Sequence, residues 1–250
     1  MKQKVILHIP HASTAIPESE GIVVNDDFLE KELLKLTDWY TDDLFHSDMD
    51  EMIVAPFSRI FCDPERFPDD AQEVMAAHGM GVLYEKSDCG KVLRNVTPEL
   101  RKRVLEGYYA MHHRKLGEAV RNQLDLFGKA IIIDCHSFPS SPLERDLDRT
   151  MPRPDFNIGT DPVHTRKDLE EAAVSFFTKR GYSIGVNWPY SGSLVPMEYY
   201  RVQPNVQSIM IEINGSLYLD EATSARSEGY AGIKQVSGEF IGMIGSFLRS

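Results

Sequence analysis

Cysteine is scarce. The 250-residue chain holds three, Cys62, Cys89 and Cys135, an odd number without a C-x-x-C pair. A disulfide framework finds no support, and reduced thiols in a cytoplasm are expected. Positive charge is in deficit: 27 Lys and Arg face 38 Asp and Glu, a net charge of −11. An acidic surface argues against nucleic acid or an anionic membrane as the main partner. It leaves room for a local basic pocket and a small anionic substrate. Long apolar runs are missing too. The N-terminus passes directly into Val5-Ile-Leu7 with no small-residue cleavage site, so neither a membrane span nor a signal peptide is expected. There is no internal repeat, no low-complexity tract and no contiguous H-E-x-x-H zinc motif. With 42% hydrophobic and 26% charged residues, the composition is that of an ordinary soluble protein. The length suits one α/β domain over residues 1–250.

Ala130 to Ile133 is a short β-branched run bounded by Gly128 and Pro139. It predicts a central strand buried on both faces. At its C-terminal end come Asp134 and His136, which point to one side of a strand while Cys135 points to the other. Ligands of open α/β sheets bind at these strand ends. A histidine there can hold a metal, and an aspartate beside it can orient the ring. A satisfied, structural Asp–His pair accounts for the same residues.

Lys4 to Ile9 reads as the first strand, ended by Pro10 and followed by His11, a second candidate ligand. His8, inside that strand, reads as structural. Asn25, Asp26 and Asp27 form an N-cap and acidic first turn for a helix carrying Leu29, Leu33, Leu36, Tyr40 and Leu44. On one unbroken helix Asp38 would lie opposite the leucine stripe, so an inward Asp38 requires a break near Thr37. Met52 to Cys62 reads as a strand containing Arg59, with Asp63 to Arg66 as a turn. Arg59 and Arg66 could hold a substrate carboxylate, or pair on the surface with Asp63 and Glu65.

Thr97-Pro-Glu99 starts a helix that runs to Phe127 and stops at Gly128. It carries His112 and His113. Phe138 to Thr160, rich in proline and charge, reads as an irregular lid or substrate loop. Gly181-Tyr-Ser-Ile-Gly185 has the letters of G-x-S-x-G but follows a helix and opens a strand, so it is not a nucleophile elbow. Gln207 to Ile213 is a strand with Ile209, Ile211 and Ile213 on one face and Glu212 on the other. A glutamate inside an apolar strand needs a partner or a task, and burial raises its pKa toward the range useful for proton transfer. The catalytic reading is taken here; an ion pair is the alternative. Ser224 to Leu248 reads as a terminal helix.

Two histidines and a carboxylate are the ligand set of a catalytic zinc site with an open position for water, and a separate glutamate can then move the proton. In order along the chain, Ile9-Pro-His-Ala-Ser13, Leu36-Thr-Asp-Trp-Tyr-Thr-Asp-Asp-Leu44, Ser58-Arg59 with Asp63 and Arg66, Tyr108-Tyr-Ala-Met-His-His113, Ile133-Asp-Cys-His-Ser137, Asn187-Trp-Pro-Tyr-Ser-Gly192 and Ile211-Glu-Ile-Asn214 resemble the N-formylglutamate amidohydrolase family. That family is similar in fold to zinc-dependent exopeptidases. The resemblance implies a three-layer α/β/α sandwich around a mixed, mostly parallel sheet. It further implies one divalent metal, zinc first, held by His11, Asp38 and His136. Glu212 would be the catalytic glutamate, Asp134 the partner behind a ligand, and Arg59 and Arg66 the holders of a substrate carboxylate. His113 matches a family position without an assigned role. Gly215 stands where the family often has an arginine, and Ser191-Gly-Ser193 matches its glycine-rich loop only loosely.

The expected activity is cleavage of a small N-acyl amino acid, N-formyl-L-glutamate first. The alternatives are a peptidoglycan-type amidase and a metal-free protein that binds carboxylate ligands on the same fold.

Overall fold

A computed structural model describes residues 3–248. The chain opens with β1 (Ile6–Ile9), buried throughout. Helix α1 (Asp26–Leu36) starts where the Asn25 side chain accepts the Phe28 N–H, with Asp26 and Asp27 in the positive first turn. It ends at Thr37, whose backbone is extended. A separate turn of helix, α2 (Thr41–Leu44), follows. The break required near Thr37 is therefore present, and Thr37 closes the first helix.

Strand β2 (Glu51–Val54) is shorter than the sequence suggests. The expected strand to Cys62 stops before Pro56, which has no N–H for a ladder. Arg59 sits in a turn instead, in which Phe61 and Cys62 donate to the Ser58 carbonyl.

The Thr97 hydroxyl caps α3 (Pro98–Val104) by accepting the Leu100 N–H. The helical path continues through a π turn at Leu105–Tyr109 into α4 (Ala110–Phe127), which ends at Gly128 with φ 74°. Only glycine adopts that conformation without strain. Then come β3 (Ala130–Phe138), β4 (Phe156–Gly159), α5 (Lys167–Thr178), β5 (Ile184–Val186) and β6 (Val206–Asn214). A small hairpin, β7 (Leu219–Asp220) and β8 (Ala225–Arg226), precedes α6 (Tyr230–Ile244). The terminal helix thus begins later than Ser224. The stretch expected to be wholly irregular, Phe138 to Thr160, contains β4.

Six strands form one sheet in the order β2-β1-β3-β6-β4-β5. Only β6 and β4 pair antiparallel. The expected mixed, mostly parallel α/β sheet is what forms. Side chains alternate across it. Ile131, Ile133, Cys135, Ile209, Ile211 and Ile213 pack with Leu169, Phe177 and Phe240 of α5 and α6. On the other face Ala130 and Ile132 meet Leu116, Ala119 and Val120 of α4. Each aliphatic side chain buried this way contributes about 1.5–3 kcal/mol relative to exposure. The central strands β3 and β6 are packed on both faces, and they carry His136 and Glu212 at their C-terminal ends.

Candidate active site

Three strand ends and one helix break converge. His11 follows β1, and its carbonyl accepts the Asp38 N–H at 3.0 Å. That bond draws the α1–α2 break to the end of the sheet and turns Asp38 inward. The Asp38 Oδ2 lies 3.1 Å from His136 Nδ1 and 3.5 Å from His11 Nδ1, and it accepts the Ser137 N–H. One ligand atom from each of His11, Asp38 and His136 falls within 4.8 Å of the others, and all three residues are buried.

Each ring is held from behind by a carboxylate. His11 Nε2 lies 2.8 Å from Asp63 Oδ1, and His136 Nε2 lies 3.1 Å from Asp134 Oδ1. Carboxylate–histidine pairs of this kind fix the ring's tautomer and leave the other nitrogen for a metal. Burial favours the neutral form of both aspartates, but their partners prevail. His11 and Arg59 hold Asp63 well below the usual carboxylate range, and His136 and His8 do the same for Asp134. Asp38 is held down too, against burial, by the neighbouring His11 and His136 rings. Burial would push His136 down, but the charge and hydrogen bond of Asp134 raise it well above its ordinary value. The centre is built to retain positive charge.

The donor set suits a zinc-type ion: two imidazole nitrogens and a carboxylate oxygen with a side left open. His11 Nδ1 is buried with no hydrogen-bond partner among the described residues. Such an orphan is costly, and a cation held by His11, Asp38 and His136 would satisfy it.

Glu212 on β6 is the Cα partner of His136 on β3. Its carboxyl is pushed up to about 8, chiefly by burial, with Asp38 and Asp134 adding to the rise and His136 and Arg59 opposing it. Its Oε2 is another buried atom without a hydrogen-bond partner among the described residues. His11, Asp38, His136, Glu212, Arg59 and Arg66 all line one cavity of about 590 Å³.

The arginines are not in surface salt bridges. Arg59 Nη2 lies 3.2 Å and Arg66 Nε 3.4 Å from the fully buried Asp63, and Arg59 Nη1 is 3.7 Å from Asp38 Oδ1. The Tyr84 hydroxyl donates to Asp63 at 2.8 Å. Asp63 thus fixes His11 and both arginines at once. Their loop is pinned by the start of α4: His113 Nε2 donates to the Pro64 carbonyl and the Tyr109 hydroxyl to the Arg66 carbonyl, both at 2.9 Å.

The sequence model of N-formylglutamate amidohydrolase matches residues 3–219. The chain belongs to the N-formylglutamate amidohydrolase family. It is similar to the N-formylglutamate deformylase of Pseudomonas putida, 26% identical over 231 residues, which are 87% of this chain and 82% of that protein. The crystal structure of an N-formylglutamate amidohydrolase from Ralstonia eutropha superposes with a TM-score of 0.87 at 25% identity, covering 99% of this chain and 95% of the other. A gene product of Agrobacterium tumefaciens shares the fold at a TM-score of 0.70 and 17% identity, covering 100% of this chain and 92% of its own. The enzyme class is therefore that of a hydrolase of this family. Among the described residues no helix is long and apolar enough to cross a membrane.

In this member of the family the structure brings together the residues singled out as site candidates and adds others. Asp63 stood in the family resemblance and as a surface partner for arginine, without a role at the metal centre, and Tyr84 carried no signal. His8 reaches further than a structural strand residue would. Its Nδ1 lies 2.8 Å from Asp134 Oδ1 and 3.1 Å from Glu65 Oε1. Burial works against its charge, yet these two carboxylates raise its pKa to about 9. His8 is therefore protonated, and its Nε2–H donates to His112 Nε2 at 2.8 Å. His112 is pushed down to about 2 by burial and by the charge of His8, so it is the neutral acceptor. His8, Glu65 and Asp134 bring one side-chain atom each within 4.8 Å of one another, with the charged His8 as the hydrogen-bond donor to the two carboxylates.

Proposed function

We propose that this protein cleaves the amide of a small N-acyl amino acid with one divalent metal, zinc first, and that N-formyl-L-glutamate is the first substrate to assay. The observation that carries the reading is the approach of one ligand atom each from His11, Asp38 and His136 to within 4.8 Å of one another, beside the Cα partner of His136, Glu212.

His11, Asp38 and His136 would hold the metal, with Asp63 and Asp134 fixing the two rings. A divalent ion in such a site lowers the pKa of water and polarises a carbonyl. Arg59 and Arg66 offer guanidinium groups to the substrate carboxylate and so set the scissile amide in the cavity. Glu212 takes the proton of the attacking water and returns it to the leaving nitrogen. Its pKa of about 8 suits both halves of that transfer near neutral pH. Water is consumed and the C–N bond breaks; for N-formyl-L-glutamate the products are formate and glutamate.

The three cysteines are free, with Cys62 and Cys135 buried, which agrees with a reducing cytoplasm as the place of action.

Protein loaded with one equivalent of zinc and offered a panel of N-formyl and N-acetyl amino acids should release formate or acetate. A chelator should stop the reaction and added zinc restore it. Zinc-loaded protein that cleaves no member of the panel would overturn the proposal.

A further inference from the structure

We propose that Arg145 selects the substrate: its guanidinium group takes the side-chain carboxylate of an N-acyl dicarboxylic amino acid whose α-carboxylate lies on Arg59 and Arg66. This rests on the reading above, that the site cleaves an N-acyl amino acid held by those two arginines.

The Lys and Arg side chains that line the cavity are Lys31, Lys35, Arg59, Arg66 and Arg145. Arg59 and Arg66 share Asp63, and Lys35 Nζ lies 3.0 Å from Asp88 Oδ2. Among the described residues Arg145 forms no ion pair with a carboxylate, and neither does Lys31. Lys31 is exposed, where water screens it, whereas Arg145 is half-buried. The acidic side chains nearest in sequence or on the same wall are already engaged. Asp146 pairs with Arg153 Nη2 at 2.5 Å and accepts from the Tyr190 hydroxyl. Glu221 accepts the Ser140 N–H at 2.7 Å and the Ser140 hydroxyl. Gly215 on the cavity wall has no side chain to supply a charge, and a Cβ there would meet Glu221 Oε1 at 2.9 Å.

Arg145 is held in place by one edge. Its backbone N–H donates to Asp88 Oδ1 and its Nε to the Asp88 carbonyl, both at 3.0 Å. Nη1 and Nη2 have no hydrogen-bond partner among the described residues, so the end of the fork is left for a ligand, the arrangement that suits a carboxylate. Gly90 makes the space for it: with φ 82° it is in the left-handed region, and a Cβ there would stand 1.7 Å from Arg145 Nη2 and displace the guanidinium group.

The same frame carries both cationic positions. Leu143 donates its N–H to Asp146 at 2.8 Å and packs against the cluster of Met75, Met80 and Tyr84. The Tyr84 hydroxyl in turn donates to Asp63 and accepts from Arg59 Nε at 3.1 Å. A substrate with one carboxylate would leave the Arg145 fork unpaired in the cavity; a dicarboxylic amino acid satisfies both positions.

The test compares kcat/KM for N-formyl-L-glutamate and N-formyl-L-glutamine, alike in shape and different in side-chain charge, with the zinc-loaded protein. Glutamate should exceed glutamine about tenfold or more, because the fork pairs with a carboxylate and not with an amide. Arg145→Gln should reduce that ratio about tenfold or more, and Arg145→Lys, a point charge without the fork, should recover part of it. Lys31→Gln should change the ratio less than about threefold, as for a screened surface charge. Thermal melts check the folding of each variant. Equal losses on both substrates in Arg145→Gln would make Arg145 a scaffold residue acting through Asp88 and overturn the inference. An unmodified protein indifferent to the two substrates overturns it as well, as does a ratio lost in Lys31→Gln instead, or cleavage of other N-acyl amino acids but of neither of these; each leaves the hydrolase reading standing. If the protein cleaves acetylated but no formylated amino acids, the comparison is made on the acetyl pair with the same criterion. Failure on every N-acyl amino acid overturns the hydrolase reading, and this inference with it.

Discussion

His136 and Glu212 are direct partners across the parallel strands β3 and β6. A ligand candidate and the proposed proton carrier are thereby fixed by the two central strands of the sheet rather than by loops. Glu212→Gln keeps the shape and removes the exchangeable carboxyl proton. It should lower kcat by about 10²–10⁴, the usual worth of a positioned general base. Zinc content should stay at the wild-type level, because Glu212 is outside the ligand set of His11, Asp38 and His136. Steady-state kinetics and elemental analysis on one preparation check both halves. Near-normal turnover would remove Glu212 from the mechanism.

Asp63 touches His11, Arg59, Arg66 and Tyr84 and is fully buried. Replacing it by Asn removes the charge that fixes the His11 ring and balances two guanidinium groups. Zinc affinity should fall about 10–100-fold, as for other carboxylates behind a ligand histidine. Stability should fall as well, by roughly 3–5 kcal/mol, since buried cations lose their partner. Competition against a chromogenic chelator reads the first effect and a denaturant titration the second. Unchanged zinc affinity would show that Asp63 serves the arginines alone.

Periodicity and punctuation were enough to place β1, β3, β6 and α4, because each is bounded by Pro or Gly or carries an uninterrupted apolar face. They also showed that an inward Asp38 requires a helix break, which Thr37 makes. Three things were not legible. β4 is short, Phe-Asn-Ile-Gly, and its alternation is hidden by Pro152 and Pro154 just before it. The strand assigned around Arg59 read the apolar run Ile60-Phe-Cys62 as ladder, whereas those residues pack beneath a turn. The contact of Asp63 with His11, 52 positions away, and that of His8 with Asp134, 126 positions away, are ones that no local pattern encodes. The register His8↔Asp134 creates that second link.

Arg59 and Arg66 each commit part of the guanidinium group to Asp63, and both line the cavity. Arg66→Lys keeps a positive charge but loses the planar fork needed for a bidentate carboxylate. KM for an N-acyl amino acid should rise about tenfold or more and kcat should fall with it, because the carboxylate held here is two bonds from the scissile nitrogen and its grip also positions that bond. An amide substrate lacking the α-carboxylate should respond little to the substitution. Equal losses on both substrates would place Arg66 in the scaffold and not in substrate binding.

The ionisation of Glu212 predicts how metal-free protein responds to pH. Its carboxyl titrates at about 8 in the folded chain, against an ordinary value of 4.5. Between these limits the folded state keeps a proton that the unfolded chain has released, so folding takes up a proton and stability falls as pH rises. Below 4.5 the two states are alike at this residue; above 8 the penalty is complete. Glu212→Gln carries no such proton and escapes the loss. His8, whose pKa is raised to about 9, also loses stabilisation as pH rises, but it is common to both proteins and cancels in the difference. In chelator, wild type and Glu212→Gln should melt at similar temperatures at pH 4.5. By pH 8.5 the variant should be the more stable by several kcal/mol, or roughly 5–15 °C for a chain of this size. Saturating zinc should shrink the gap, since a cation beside Glu212 favours its charged form. Melting temperatures that run parallel from pH 4.5 to 8.5 without metal would mean that Glu212 is already ionised in the folded protein, and that it meets the substrate as a base from the start.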